Sequence, residues 1–126
     1  MANAIQNVSR FFFIFDPCSI FLNGSAILVQ LCRAAEALKQ RPEVADIYLF
    51  GSLVRGDYSP GSDADVAIIL RQDDRRVIDR IPDFLDYFME VEAPVDVFPY
   101  TLAEVERMEN GKNRFWQEIV ATGRKL

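Results

Sequence analysis

The amino-acid sequence predicts an α/β domain of the α+β kind, a small mixed β-sheet of about three or four strands with helices packed mainly on one face. Three observations predict it. Short apolar runs rich in β-branched and aromatic residues fall at 44–50, 63–70 and 94–99. Segments with apolar residues at helical spacing lie between and around them. The chain is also of a size and make-up for one globular core: 126 residues, 50% hydrophobic and 26% charged. A chain of that length buries about two-thirds of its unfolded surface.

The elements follow in order. Ile27, Leu28, Leu31, Ala34, Ala35 and Leu38 share a helical face over 25–40, which ends before Arg41-Pro42. Residues 44–50 form the first strand, and Gly51-Ser52 turns the chain into a short helix. A polar loop rich in turn residues spans 56–61. In the second strand, 63–70, Ala64, Val66, Ile68 and Leu70 lie on the face opposite Asp63 and Asp65. Val77, Ile78, Ile81, Leu85, Phe88 and Met89 then mark a helix that Pro82 starts or kinks. The third strand enters through Pro94 and closes at Pro99. Thr101-Leu102-Ala103-Glu104 is a capping-box signature for a helix running to about Asn110. After Gly111 comes a final helix from Arg114, with Gly123 as its stop. This order predicts a sheet whose carboxylate face is left open.

Residues 25–126 are assigned to the domain and 1–24 to an N-terminal extension without an assigned element. Its run Phe11-Phe12-Phe13-Ile14-Phe15 is broken by Asp16-Pro17. That is too short for a signal-peptide core or a membrane span. It reads equally as an added edge strand, an interaction tail or a misassigned start.

The chemistry concentrates around residues 51–65. Asp63 and Asp65 are one residue apart at the head of a strand, so their side chains share a face. Two carboxylates held that close repel unless a cation or proton lies between them. A hard divalent ion such as Mg2+ suits oxygen ligands. The Gly51-Ser52 turn offers backbone N–H groups as a phosphate seat. Asp96 sits within the apolar strand Val95-Asp96-Val97-Phe98, where an unpaired charge is costly. Beside the Asp63–Asp65 strand it completes a three-carboxylate cluster able to hold two metals about 3.5–4 Å apart, the spacing of in-line phosphoryl or nucleotidyl displacement. Taken singly, each aspartate reads as a cap or a surface residue; their combination favours a metal site.

The ordered set Phe50-Gly51-Ser52, a ten-residue spacer, Asp63-Ala64-Asp65 and a later strand Asp96 resembles the nucleotidyltransferase superfamily typified by DNA polymerase β, in its minimal form. Arg55-Gly56 and Ser62 match the prokaryotic minimal branch. The resemblance covers about residues 25–126 and implies a polymerase β-like fold. It implies Asp63, Asp65 and Asp96 as catalytic residues holding two Mg2+ ions. It also implies Gly51, Ser52, Arg55 and Ser62 at the phosphates of ATP, the substrate. Arg55 reads equally as an ion-pair partner of Asp57 or Asp63, and Ser62 as a turn residue. Minimal nucleotidyltransferases of this type resemble the antitoxin half of toxin–antitoxin pairs. The implied partner is then a HEPN-domain ribonuclease, adenylylated on a hydroxyl, in the cytoplasm and in a homo- or hetero-oligomer. Two other functions compete: a noncatalytic antitoxin acting by binding alone, and an enzyme modifying a small hydroxylated molecule such as an aminoglycoside.

Other classes are excluded. A net charge of −5 argues against a broad basic face for duplex nucleic acid. With no histidine, a His-based triad is impossible. No Gly-Lys-Ser/Thr phosphate loop occurs, and Ile68 and Asp74 stand where a calcium hand starting at Asp63 needs Gly and Glu. Cys18 and Cys32 read as buried small hydrophobes rather than a disulfide. Tyr58, Tyr100 and Trp116 are candidates for nucleobase stacking, with packing the favoured role. Lys112, Arg114, Arg124 and Lys125 read as a solvated basic end.

Overall fold

The computed structural model of the chain describes residues 26–55 and 63–126, Arg55 by its backbone alone. The extension 1–24, Cys18, Tyr58, the loop 56–61 and Ser62 lie outside the described residues. Helix α1 (Ala26–Leu38) leads to strand β1 (Val44–Phe50), the one-turn helix α2 (Ser52–Arg55) and strand β2 (Ala64–Leu70). Helix α3 (Val77–Leu85) tightens into a 3-10 turn (Asp86–Phe88) before strand β3 (Val95–Thr101). Helices α4 (Leu102–Asn110) and α5 (Arg114–Thr122) and a two-residue strand β4 (Arg124–Lys125) close the chain.

The sheet runs β3-β2-β1-β4, with β2 parallel to β3 and β1 antiparallel to both β2 and β4. Strands β1 and β2 are central and buried almost end to end. That is why their sequences read as continuous apolar runs rather than strict alternation. On one face, Leu28, Leu31 and Leu38 of α1 and Phe84 and Phe88 pack on Ile47, Leu49, Val66, Ile68 and Val97. On the other, Val105 of α4 and Trp116 and Ile119 of α5 pack on Tyr48, Phe50, Ala67 and Ile69. The face expected to be open is thus covered by a smaller second layer, and Trp116 is a core residue. Among the described residues, the end carrying Asp63, Asp65 and Asp96 keeps exposed surface.

Local signals explain the helix boundaries. The Thr101 hydroxyl accepts from the Glu104 N–H at 3.2 Å, and the Glu104 carboxylate accepts from the Thr101 N–H at 2.8 Å. This is the reciprocal capping box expected from the sequence. The Asn113 side chain caps α5 by accepting from the Trp116 N–H at 2.9 Å. Three features depart from expectation. Pro82 lies inside α3, which starts at Val77, so of the two expected roles it does not start the helix. Strand β3 continues through Pro99 to Thr101, tolerated because β3 is an edge strand. Arg124 and Lys125, expected as a solvated end, pair with Leu49 and Tyr48, and Lys125 Nζ stands 3.1 Å from Asp46 Oδ1. Cys32 is disulfide-bonded, which corrects its reading as a lone thiol.

One buried cation ties these parts together. The Arg80 side chain is only 2% exposed. Its guanidinium donates to both Glu104 carboxylate oxygens, at 2.6 and 3.0 Å, and to the carbonyls of Pro99 and Asp73, each at 3.0 Å. It thereby joins α3, the end of β3, the cap of α4 and the loop after β2. Burial alone would raise the Glu104 carboxyl, but hydrogen bonds from Arg80 and the Thr101 N–H outweigh it and hold the group below its ordinary range. The hydrogen bond from Arg75 holds Asp73 down to about 2.

Both folded-state values lie below the unfolded ones, so both carboxylates stabilise the fold above about pH 4 and lose that contribution as pH falls toward 2. Urea unfolding followed by Trp116 fluorescence should therefore show a falling midpoint across that window, with a shallower fall in Asp73→Asn. Removing one partner of a buried ion pair costs roughly 3–5 kcal/mol, so Arg80→Met should lose about that much at neutral pH. An unchanged midpoint would remove Arg80 from its joining role.

Candidate active site

Strand pairing sets two of the aspartates, Asp65 and Asp96, side by side. A backbone hydrogen bond from the Ala64 N–H to the Pro94 carbonyl, 2.8 Å long, brings the start of β2 beside the start of β3. Parallel register then sets Asp65 opposite Asp96, and antiparallel register sets Phe50 opposite Asp65. Neighbouring strands lie about 4.8 Å apart, so Phe50, Asp65 and Asp96 form a row across one face. Ala64, Val66, Val95 and Val97 point the other way, into the larger core. Asp63, two residues before Asp65, joins the row and hydrogen-bonds Asp96. The Asp96 carboxyl is raised above its ordinary range, first by burial, then by the hydrogen bond and charge of Asp63.

Gly51 supplies the neighbouring wall. It is buried and has φ +87°, a conformation L side chains rarely adopt. A Cβ built there would lie 2.3 Å from Asp65 Oδ2, so the missing side chain is what lets the carboxylate seat against the turn. The Gly51 carbonyl also accepts from the Val54 N–H at 3.1 Å, closing the single turn of α2. Ser52 opens that turn. The backbone of Arg55 ends it, and Ser62 is outside the described residues.

A cleft of about 370 Å³ opens over this corner. Gly51, Ser52, Asp63 and Asp65 form one side, and Phe50, Phe98, Phe115 and Glu118 the other. Asp96 reaches the cluster through Asp63 and does not line the cleft. Among the described residues, no group of three or more His, Cys, Asp or Glu side chains is placed so that it could hold a metal ion, so the expected three-carboxylate metal cluster is not assembled in this structure. Sequence reasoning missed the second wall. Phe50, Phe98 and Phe115 pack mutually with ring centroids 5.2–5.7 Å apart, a trio drawn from two strands and α5. Glu118 lies one helical turn beyond Phe115, and only that spacing could have flagged it.

A wider cavity, about 930 Å³, lies away from the carboxylates between the 71–76 loop and the start of α4. No helix among the described residues is long and apolar enough to cross a membrane.

No curated protein sequence matches the chain. A candidate nucleotidyltransferase from Sulfolobus solfataricus has a similar structure, at 22% identity over 82% of this chain and 78% of that one, with a TM-score of 0.49. A toxin–antitoxin structure with AMP-PNP is similar at 21% identity over 77% of this chain and 69% of that one, with a TM-score of 0.53. The family described as the nucleotidyltransferase domain matches residues 31–123, which hold all four strands but the last, the Gly51 turn and the three aspartates. The chain is a member of the nucleotidyltransferase domain family.

Proposed function

We propose that the chain transfers AMP from MgATP to a hydroxyl of a partner protein, as the antitoxin of a HEPN/MNT toxin–antitoxin pair. The observation that carries the transfer reading is the single-face row of Asp65 and Asp96 with Asp63 bonded to it, beside a turn that only glycine fits. The donor set suits the implied cation: carboxylates are hard oxygen ligands, and the charge of Asp63 beside Asp96 raises the Asp96 carboxyl, a repulsion that a cation would relieve. Asp63, Asp65 and Asp96 would hold Mg2+. When bound, Mg2+ supplies charge neutralisation at the triphosphate and orients it for in-line attack.

The chain's own residues do the rest. Gly51 leaves room for a triphosphate against the backbone, and Ser52 offers its hydroxyl and N–H to a terminal phosphate. Arg55 and Ser62 are proposed to assist there. Asp96 accepts the proton from the acceptor hydroxyl. The oxygen attacks the α-phosphorus, the α–β phosphoanhydride bond breaks, and pyrophosphate leaves. Rate comes from positioning and charge neutralisation rather than a covalent enzyme intermediate. A protein acceptor fits the cleft's small size and the likeness to a toxin–antitoxin structure with AMP-PNP. ATP places the proposed reaction in the cytoplasm, where the disulfide at Cys32 is unusual.

With labelled ATP, Mg2+ and the protein encoded beside it, the chain should label that protein, and Asp63→Asn should cut the rate by about a thousandfold or more while unfolding normally. Label transfer surviving in Asp63→Asn would end the mechanism, and tight binding without transfer would favour a binding-only antitoxin. Gly51→Ala should cost about 1–2 kcal/mol from the left-handed backbone alone, and more from the clash with Asp65. It should lose transfer even where the protein remains folded. A Gly51→Ala protein of unchanged midpoint and rate would show that Asp65 does not need the glycine.

A further inference from the structure

Among the described residues, three large hydrophobic side chains are exposed, Ile78, Leu85 and Met89, and all lie on one line. With Pro82, also exposed, they follow the spacing i, i+4, i+7, i+11 along α3 and the 3-10 turn after it. That is one face of a helix. The opposite face holds Arg80, Phe84 and Phe88 against the core. Ile78 is 66% and Met89 76% exposed, so they are not the margin of the core beneath. An exposed apolar stripe of this kind, rimmed by polar residues, marks a contact surface.

The charge around the stripe selects its occupant. Residues 72–92 hold seven carboxylates and three arginines, a net −4 of the chain's −5. The arginines are engaged within the chain: Arg75 with Asp73 and Asp83, Arg76 with Asp79, and Arg80 with Glu104. Asp86 and Glu90, beside Leu85 and Met89, are exposed and have no ion pair among the described residues. We propose that this stripe docks an amphipathic helix of a partner protein, apolar at the matching spacing and flanked by Lys and Arg. A second copy of the chain fits less well, because it would set carboxylate rim against carboxylate rim. The proposal is independent of the transfer reading, since no stripe residue lines the carboxylate cleft.

The test uses the full chain and two fluorescent synthetic helical peptides sharing one leucine stripe, flanked by Lys/Arg in one and Glu in the other. Fluorescence anisotropy should show saturable binding of the basic peptide and binding roughly tenfold or more weaker for the acidic one. Ile78→Ser with Met89→Ser should weaken the basic peptide by a similar factor with the urea midpoint unchanged. Asp86→Asn with Glu90→Gln should flatten its salt dependence. Four results would overturn the proposal. These are no saturable binding, equal binding of both peptides, indifference to the stripe substitutions, or a dimer of the chain alone that the stripe substitutions dissolve.

Discussion

The register of β2 against its two neighbours is the constraint on which the rest of the molecule depends. A slip of one residue in either pairing would turn Asp65 into the larger core and Val66 out to the cleft. Burial prevents it, because Val66, Ile68 and Leu70 are driven inward by the same alternation that holds Asp65 outward. The antiparallel pairing with β1 then delivers Gly51 over the Asp65 carboxylate. The parallel pairing with β3 delivers Asp96 alongside. Three like charges are gathered by apolar packing on the far side of the sheet rather than by attraction among themselves.

The second layer of helices decides what that cluster can meet. Helices α4 and α5 cover most of the carboxylate face and stop short of its end, so the cleft is a corner rather than an open plane. Phe115 and Glu118 from α5 become its far wall. Arg80 locks α4 to β3 and α3 through its hydrogen bonds to Glu104 and the Pro99 carbonyl. The wall opposite the aspartates is thus held in part by an arginine outside the cleft. The same helix that buries Arg80 on one face carries the exposed stripe on the other.

Local chemistry was legible in the amino-acid sequence. Period-two alternation placed Asp63 and Asp65 together, the strand context placed Asp96, and a glycine after an apolar run announced the left-handed turn. The Thr101/Glu104 cap was equally plain, because each of these signals is complete within a few residues. The features that were not legible depend on long-range packing. Arg80 sits in a run of arginines and aspartates that reads as solvated, and only its partners at 73, 99 and 104 make it internal. The phenylalanine trio joins positions 50, 98 and 115, which no local period connects. Strand β4 has two residues, too few for any periodic signal. The second layer was missed because α4 and α5 are short and only partly apolar, so their burial follows from where β3 leaves them.

The central claim is that the side chains of Asp63, Asp65 and Asp96 bind divalent cation beside the Gly51 turn, although the described residues are not placed as a three-ligand metal site without one. Crystals of the chain grown with Mn2+ and AMP-PNP, measured at the manganese absorption edge, test it directly. The account predicts an anomalous peak bonded to carboxylate oxygens of this cluster at about 2.1 Å. Manganese bound elsewhere, with these three carboxylates turned away from the nucleotide, would contradict it.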